Sequence, residues 1–234
     1  MMLSIRSISA GYGPARVLFG LSLELRAGEV SVILGRNGAG KSTTLKAVMA
    51  MVPLSSGQIW FSGKRIDRCA TWEIARAGIG YVAEERRIFP DLSVLENLEA
   101  GRRSARGHGS PWSVERIIAL LPALGPLGRR RAGTLSGGEQ QMLAVARTLM
   151  GNPSCILLDE PSEGLAPAVV ERLATLVRTL RGEGMAVLLA EQNMRFALAV
   201  SDNAHIIEKG GLRFSGTARQ LQEHADLSAE YLAL

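Results

Sequence analysis

The sequence has no run approaching the roughly 18 consecutive apolar residues that a helix needs to cross a bilayer, so no helical span is expected in its 234 residues. The opening MMLSIRS also lacks the apolar core of a secretory leader, so membrane attachment is expected only through a partner. Cysteine is scarce. Cys69 and Cys155 lie far apart in no C-x-x-C or metal-ligand spacing, which excludes a disulfide framework or zinc site and points to a reducing compartment. Aromatics make up 5%, and none is interleaved with the densest basic clusters, Arg102–Arg103 and Arg129–Arg131. The net charge of +5 and pI near 9.7 therefore read as solvated faces rather than a nucleic-acid patch. Lysine is scarce too, 4 residues against 23 arginines, so a lysine inside a glycine-rich loop is not there by abundance.

What is present is an ordinary globular composition, 47% apolar and 21% charged, with no internal repeat. The length suits one substantial core with a small attached subdomain. Residues 3–10 and 17–25 alternate apolar with polar, the period of half-buried strands, and read as an antiparallel start. Val30–Leu34 runs straight into a glycine-rich loop and a helix beginning near Lys41. A hairpin over Gln58–Ile66, a short helix near 71–77 and a strand Gly80–Ala83 follow. From about 93 to 150 the pattern turns helical, broken by a surface loop over Ser104–Pro111. Strands then resume: Cys155–Asp159, a helix 167–181 opened by Pro167, strand Ala186–Ala190, a helix near 193–200 and a hairpin Ala204–Gly216. The expected fold is α/β. Residues 1–92 and 152–234 form a P-loop NTPase core with a mostly parallel sheet and an N-terminal antiparallel β subdomain, and residues 93–151 form an inserted α-helical subdomain.

Three segments carry chemistry. Gly35-Arg36-Asn37-Gly38-Ala39-Gly40-Lys41-Ser42 fits G-x-x-x-x-G-K-[ST] between a strand and a helix, where a phosphate-binding loop belongs. Its glycines let backbone N–H groups turn inward, the helix dipole favours anions, Lys41 reaches β/γ-phosphates, and the Ser42 hydroxyl suits Mg²⁺. Cys155-Ile-Leu-Leu-Asp159-Glu160 is a buried strand ending in two carboxylates, Asp159 placed for the Mg²⁺ shell and Glu160 for polarising the attacking water. Leu135-Ser136-Gly137-Gly138-Glu139-Gln140 reads as a capping box opening a helix, with two glycines that leave N–H groups uncovered for a second phosphate.

Taken along the chain, residues 35–42, 135–140 and 155–160 resemble the Walker A, signature and Walker B motifs, respectively, of the nucleotide-binding subunits of ABC transporters, and the resemblance extends over essentially the whole chain. It implies ATP and Mg²⁺ as cofactors, Thr43 beside the Walker A serine in the nucleotide site, and a head-to-tail dimer in which Ser136, Gly137, Gly138 and Glu139 cover the other cassette's nucleotide. It also implies membrane permease subunits as partners, a periplasmic or extracellular substrate-binding protein acting indirectly, no nucleic acid, and a place on the inner face of the cell membrane. By the same resemblance Tyr12 stacks on adenine, Glu84 replaces the Q-loop glutamine as a Mg²⁺ or water contact near the permease, and Gln192 stands where the switch histidine is expected. Glutamine can hydrogen-bond a γ-phosphate but carries no titrating proton, so slow hydrolysis or reliance on Glu160 alone is expected here.

The loop Ser162-Glu-Gly-Leu-Ala-Pro167 lacks the usual D-loop aspartate. These departures resemble one branch in particular, the ATP-binding subunits of branched-chain (hydrophobic) amino-acid uptake systems and their amide or urea relatives. A nucleotide switch with little catalysis, and an ATPase acting on nucleic acid, are the competing classes. Gln192 also points toward a hetero-dimer whose other chain supplies the histidine.

Overall fold

The computed structural model describes residues 1–104 and 111–223, so most of the expected Ser104–Pro111 loop, with His108 and His224, lies outside the described residues. The first half of the chain forms β1 (Leu3–Tyr12), β2 (Ala15–Leu25), β3 (Val30–Leu34), α1 (Lys41–Val48), β4 (Leu54–Phe61), β5 (Lys64–Arg65), α2 (Thr71–Ala77), β6 (Ile79–Val82) and α3 (Val94–Gly101). The second half forms α4 (Val114–Leu120), α5 (Gly137–Leu149), β7 (Cys155–Asp159), α6 (Pro167–Gly182), β8 (Ala186–Glu191), α7 (Met194–Val200), β9 (Asn203–Glu208), β10 (Gly211–Thr217) and α8 (Ala218–Glu223).

Two sheets result. An antiparallel sheet runs β2-β1-β4-β5, and a six-stranded sheet runs β10-β9-β3-β8-β7-β6, parallel except for its antiparallel edge β10. The central strands are buried on both faces, which is why they read as continuous apolar runs rather than alternating ones. Successive residues nevertheless serve different cores. Val30, Val32, Leu34, Ile156, Leu158, Val187 and Leu189 pack toward α3–α7, while Ile33, Leu157, Leu188 and Ala190 pack toward α1 and the antiparallel sheet. The stripe expected on α6 is present, with Leu173, Leu176, Val177 and Leu180 buried and Val170 at its edge. Helix α1 thus lies between the two sheets, and the C-terminal ends of β3, β7 and β8 open on one side, where α/β sheets bind ligands. No described helix is long and apolar enough to cross a membrane.

Candidate nucleotide site

The phosphate loop leaves β3 at Gly35, and close packing dictates that residue: a Cβ there would sit 2.5 Å from the Ile207 carbonyl oxygen of β9. Gly40 caps α1 with φ 110°, a left-handed conformation, and a Cβ on it would meet Leu18 at 2.8 Å. No side chain caps α1, so its first N–H groups stay available to an anion. Lys41 is buried and folds back over the loop, donating from Nζ to the carbonyls of Gly35 (2.8 Å) and Arg36 (3.2 Å). Its ammonium also pairs with Glu160 Oε1 at 2.8 Å.

Glu160 follows the tip of β7 with φ 45°, an uncommon backbone for a residue with a side chain and one that clusters at functional sites. Its N–H donates to Ala190 O at 2.9 Å, and its Oε2 accepts from the Gln192 N–H at 3.2 Å. Asp159 is also buried. One carboxylate oxygen accepts from Ser42 Oγ at 2.7 Å and the other from the Tyr81 hydroxyl at 2.9 Å. Burial, followed by the Asp159 charge, raises the Tyr81 phenol above its ordinary pKa and keeps it a donor. Ser42 and Asp159 therefore present two hard oxygen donors side by side, a set that fits Mg²⁺.

A cleft of about 380 Å³ opens over these groups, lined by Asn37, Gly38, Lys41, Ser42, Glu84 and Glu160 among others. Burial raises the Glu84 pKa, and the neighbouring carboxylates of Glu163, Asp159 and Glu160 raise it further. Glu84 thus shares a wall with the phosphate loop.

The remaining expected residues lie elsewhere. Tyr12 ends β1 and is 50% exposed; the lining residue that its hairpin supplies is Val17. The Gln192 side chain is exposed and outside the cleft lining, so its contact with Glu160 is made by its backbone N–H. Ser136–Glu139 form the expected capping box at the start of α5, again outside this cleft.

Three participants escaped the sequence reading. Tyr81 reaches Asp159 only because β6 lies beside β7, a register that no local pattern announces. Arg86 and Arg87 both adopt positive φ, and a Cβ on Gly137 would lie 2.9 Å from Arg86 Nη1, so this guanidinium covers the start of the signature helix. Glu191, a charged residue ending an otherwise apolar strand, gave a faint signal in the sequence; buried, it accepts backbone N–H bonds from two loops.

A P-loop α/β core whose phosphate loop, inserted helical segment and acidic strand tip follow in this order along the chain defines an ATP-binding cassette. The chain belongs to the ABC transporter family, whose model matches residues 18–163, and it is an ATPase. It is 38% identical to the high-affinity branched-chain amino acid transport ATP-binding protein BraG of Pseudomonas aeruginosa, over 99% of both chains. It is 34% identical to the lipopolysaccharide export system ATP-binding protein LptB of Escherichia coli, over 98% of this chain and 96% of that one. Among solved structures, a nucleotide-free ATP-binding cassette from an ABC transporter superposes with a TM-score of 0.86 at 25% identity, covering 99% of this chain and 97% of that one.

Proposed function

We propose that the chain powers uptake of branched-chain or other hydrophobic amino acids, as the ATP-hydrolysing subunit of an importer. The observation that carries this reading is its end-to-end likeness to BraG. Two cassettes pair head to tail beneath membrane permease subunits on the inner face of the cell membrane, and a binding protein delivers the substrate from outside. Lys41 exchanges Glu160 for the β/γ-phosphates, which the backbone N–H groups of residues 36–43 cradle. Ser42 and Asp159 would hold Mg²⁺, with Glu84 nearby in the same cleft, and the bound ion would supply charge neutralisation for the phosphates. Glu160, released from Lys41, orients and polarises the attacking water. Tyr12 stacks on the adenine, and the exposed Gln192 amide swings in to the γ-phosphate. Ser136, Gly137, Gly138 and Glu139 close over the nucleotide of the opposite cassette.

Likeness to LptB motivates a second reading, an export motor, and the same motifs also suit an importer of urea or short amides. Proteoliposomes holding the intact complex separate them. ATP-dependent uptake of leucine, isoleucine or valine is expected, whereas transport of urea alone, or outward extraction of lipid, would replace the amino-acid reading. Absence of single-turnover hydrolysis in that complex would favour a slow nucleotide switch instead.

A further inference from the structure

Glu191 ends β8 only 1% exposed, and its carboxylate accepts three backbone N–H groups: Ser162 at 3.0 Å, Asn193 at 3.1 Å and Gln192 at 3.2 Å. The first belongs to the loop after Glu160 and the other two to the loop after β8, so one side chain holds two loops that are distant in sequence. Only Pro161 separates Ser162 from Glu160, and its ring fixes one of the few dihedrals between them, so the Ser162 N–H sits on a short, restricted tether to the carboxylate before it. The Gln192 N–H is shared: it also donates to Glu160 Oε2 at 3.2 Å. Glu160 is therefore gripped from both ends by groups that Glu191 orients.

Burying a carboxylate is costly, and this one has three N–H donors and no cation among its described contacts. Burial pushes its pKa up to about 7, the Glu160 charge adds to the rise, and the bonds from Ser162 and Asn193 oppose it. A neutral Ser or Asn would cap either loop without that penalty, whereas a carboxylate has acceptor capacity for both.

We propose that Glu191 is a positioning residue for hydrolysis, tying the loop of Ser162 to the loop of Gln192 so that Glu160 keeps its orientation when Lys41 leaves it for phosphate. The role rests on the reading of Glu160 as the group that orients water. In the resting chain Lys41 holds Oε1 of Glu160 and Gln192 N–H holds Oε2. Once Lys41 turns away, only the second hold remains, and its direction is set by Glu191.

The test uses the full chain in its membrane complex, with Glu191→Gln as the near-isosteric change and Glu191→Asp as a shorter carboxylate. Turnover is expected to fall about ten- to a hundredfold, the range that a misplaced group produces, while the Kd for ATP stays within about twofold because the phosphate loop is untouched. Amide exchange should rise together at Ser162, Gln192 and Asn193. Turnover within twofold of the wild type in both variants, exchange rising in one loop only, or ATP affinity and thermal midpoint falling in step with turnover would each overturn the proposal. Glu160→Gln is measured alongside. If it hydrolyses ATP normally, the underlying reading of Glu160 fails; if it is inactive while the Glu191 variants are normal, only the tie fails.

Discussion

Helices α1 and α5 both begin at glycine-rich loops, yet their N-termini are finished in opposite ways. Helix α1 is capped by a left-handed glycine with no side-chain acceptor, and the charged groups around it, Lys41, Asp159 and Glu160, are buried. Helix α5 caps itself: Ser136 accepts from the Glu139 N–H at 3.3 Å, and the Glu139 carboxylate returns to the Ser136 N–H at 2.7 Å and hydroxyl at 2.8 Å. The first end is left incomplete by its own chain and offers its donors to a ligand. The second satisfies its Ser136 and Glu139 N–H groups with its own side chains and starts at an exposed surface, so on the proposed reading it is a platform for a nucleotide held by the opposite cassette. Affinity for ATP should therefore reside at α1, and dependence on a second cassette at α5.

Substitutions can break that division, and the largest effect is expected at Glu160. Glu160→Gln should cut turnover by about 10²–10⁴-fold, with ATP still bound because Lys41 is then free of an anionic competitor; wild-type hydrolysis by this variant would refute its role. Lys41→Met should weaken ATP binding by roughly 10- to 100-fold, the worth of charge-assisted bonds to phosphate. It should also lower the melting temperature, since Glu160 loses its buried counter-charge. Ser136→Ala should leave the affinity of the isolated chain almost unchanged and remove about 1 kcal/mol of helix capping, while turnover in the assembled complex drops. An equal loss of monomer affinity would mean that α5 serves its own chain's nucleotide.

The smallest effect is expected from Glu139→Gln, a few tenths of a kcal/mol, since glutamine can still close the box. Hydrogen bonds from Ser136 hold the Glu139 carboxyl below its usual range. A carboxylate depressed in the folded state adds stability that is present above its unfolded pKa and is lost as pH falls through the folded one. Acid unfolding of the variant should lack that component.

Much of the architecture was legible in the sequence. The doubly buried strands announced themselves as apolar runs, and α6, expected over 167–181, spans Pro167–Gly182. The phosphate loop and strand tip were legible because their chemistry lies in consecutive residues. What stayed hidden depends on packing between distant segments: Tyr81 on Asp159 requires the β6–β7 register, and Arg86 on Gly137 requires two successive left-handed residues that are not glycine. The pairing of Lys41 with Glu160 was hidden for another reason. Motif logic assigns both residues to a nucleotide and says nothing of what they do to each other.

The position of β3 has a consequence for how this protein is made. The strand that carries the phosphate loop sits between β8 and β9, both drawn from residues 186–208, and Gly35 rests against Ile207. A ribosome emits residues 35–42 well before these neighbours, and at about 5–20 residues per second the wait lasts roughly ten to thirty seconds. During that interval the nascent chain has the sequence of a nucleotide site without its walls. Competence to bind ATP should arrive only once β8 and β9 have followed, so a chain truncated before β9 should be unable to capture nucleotide.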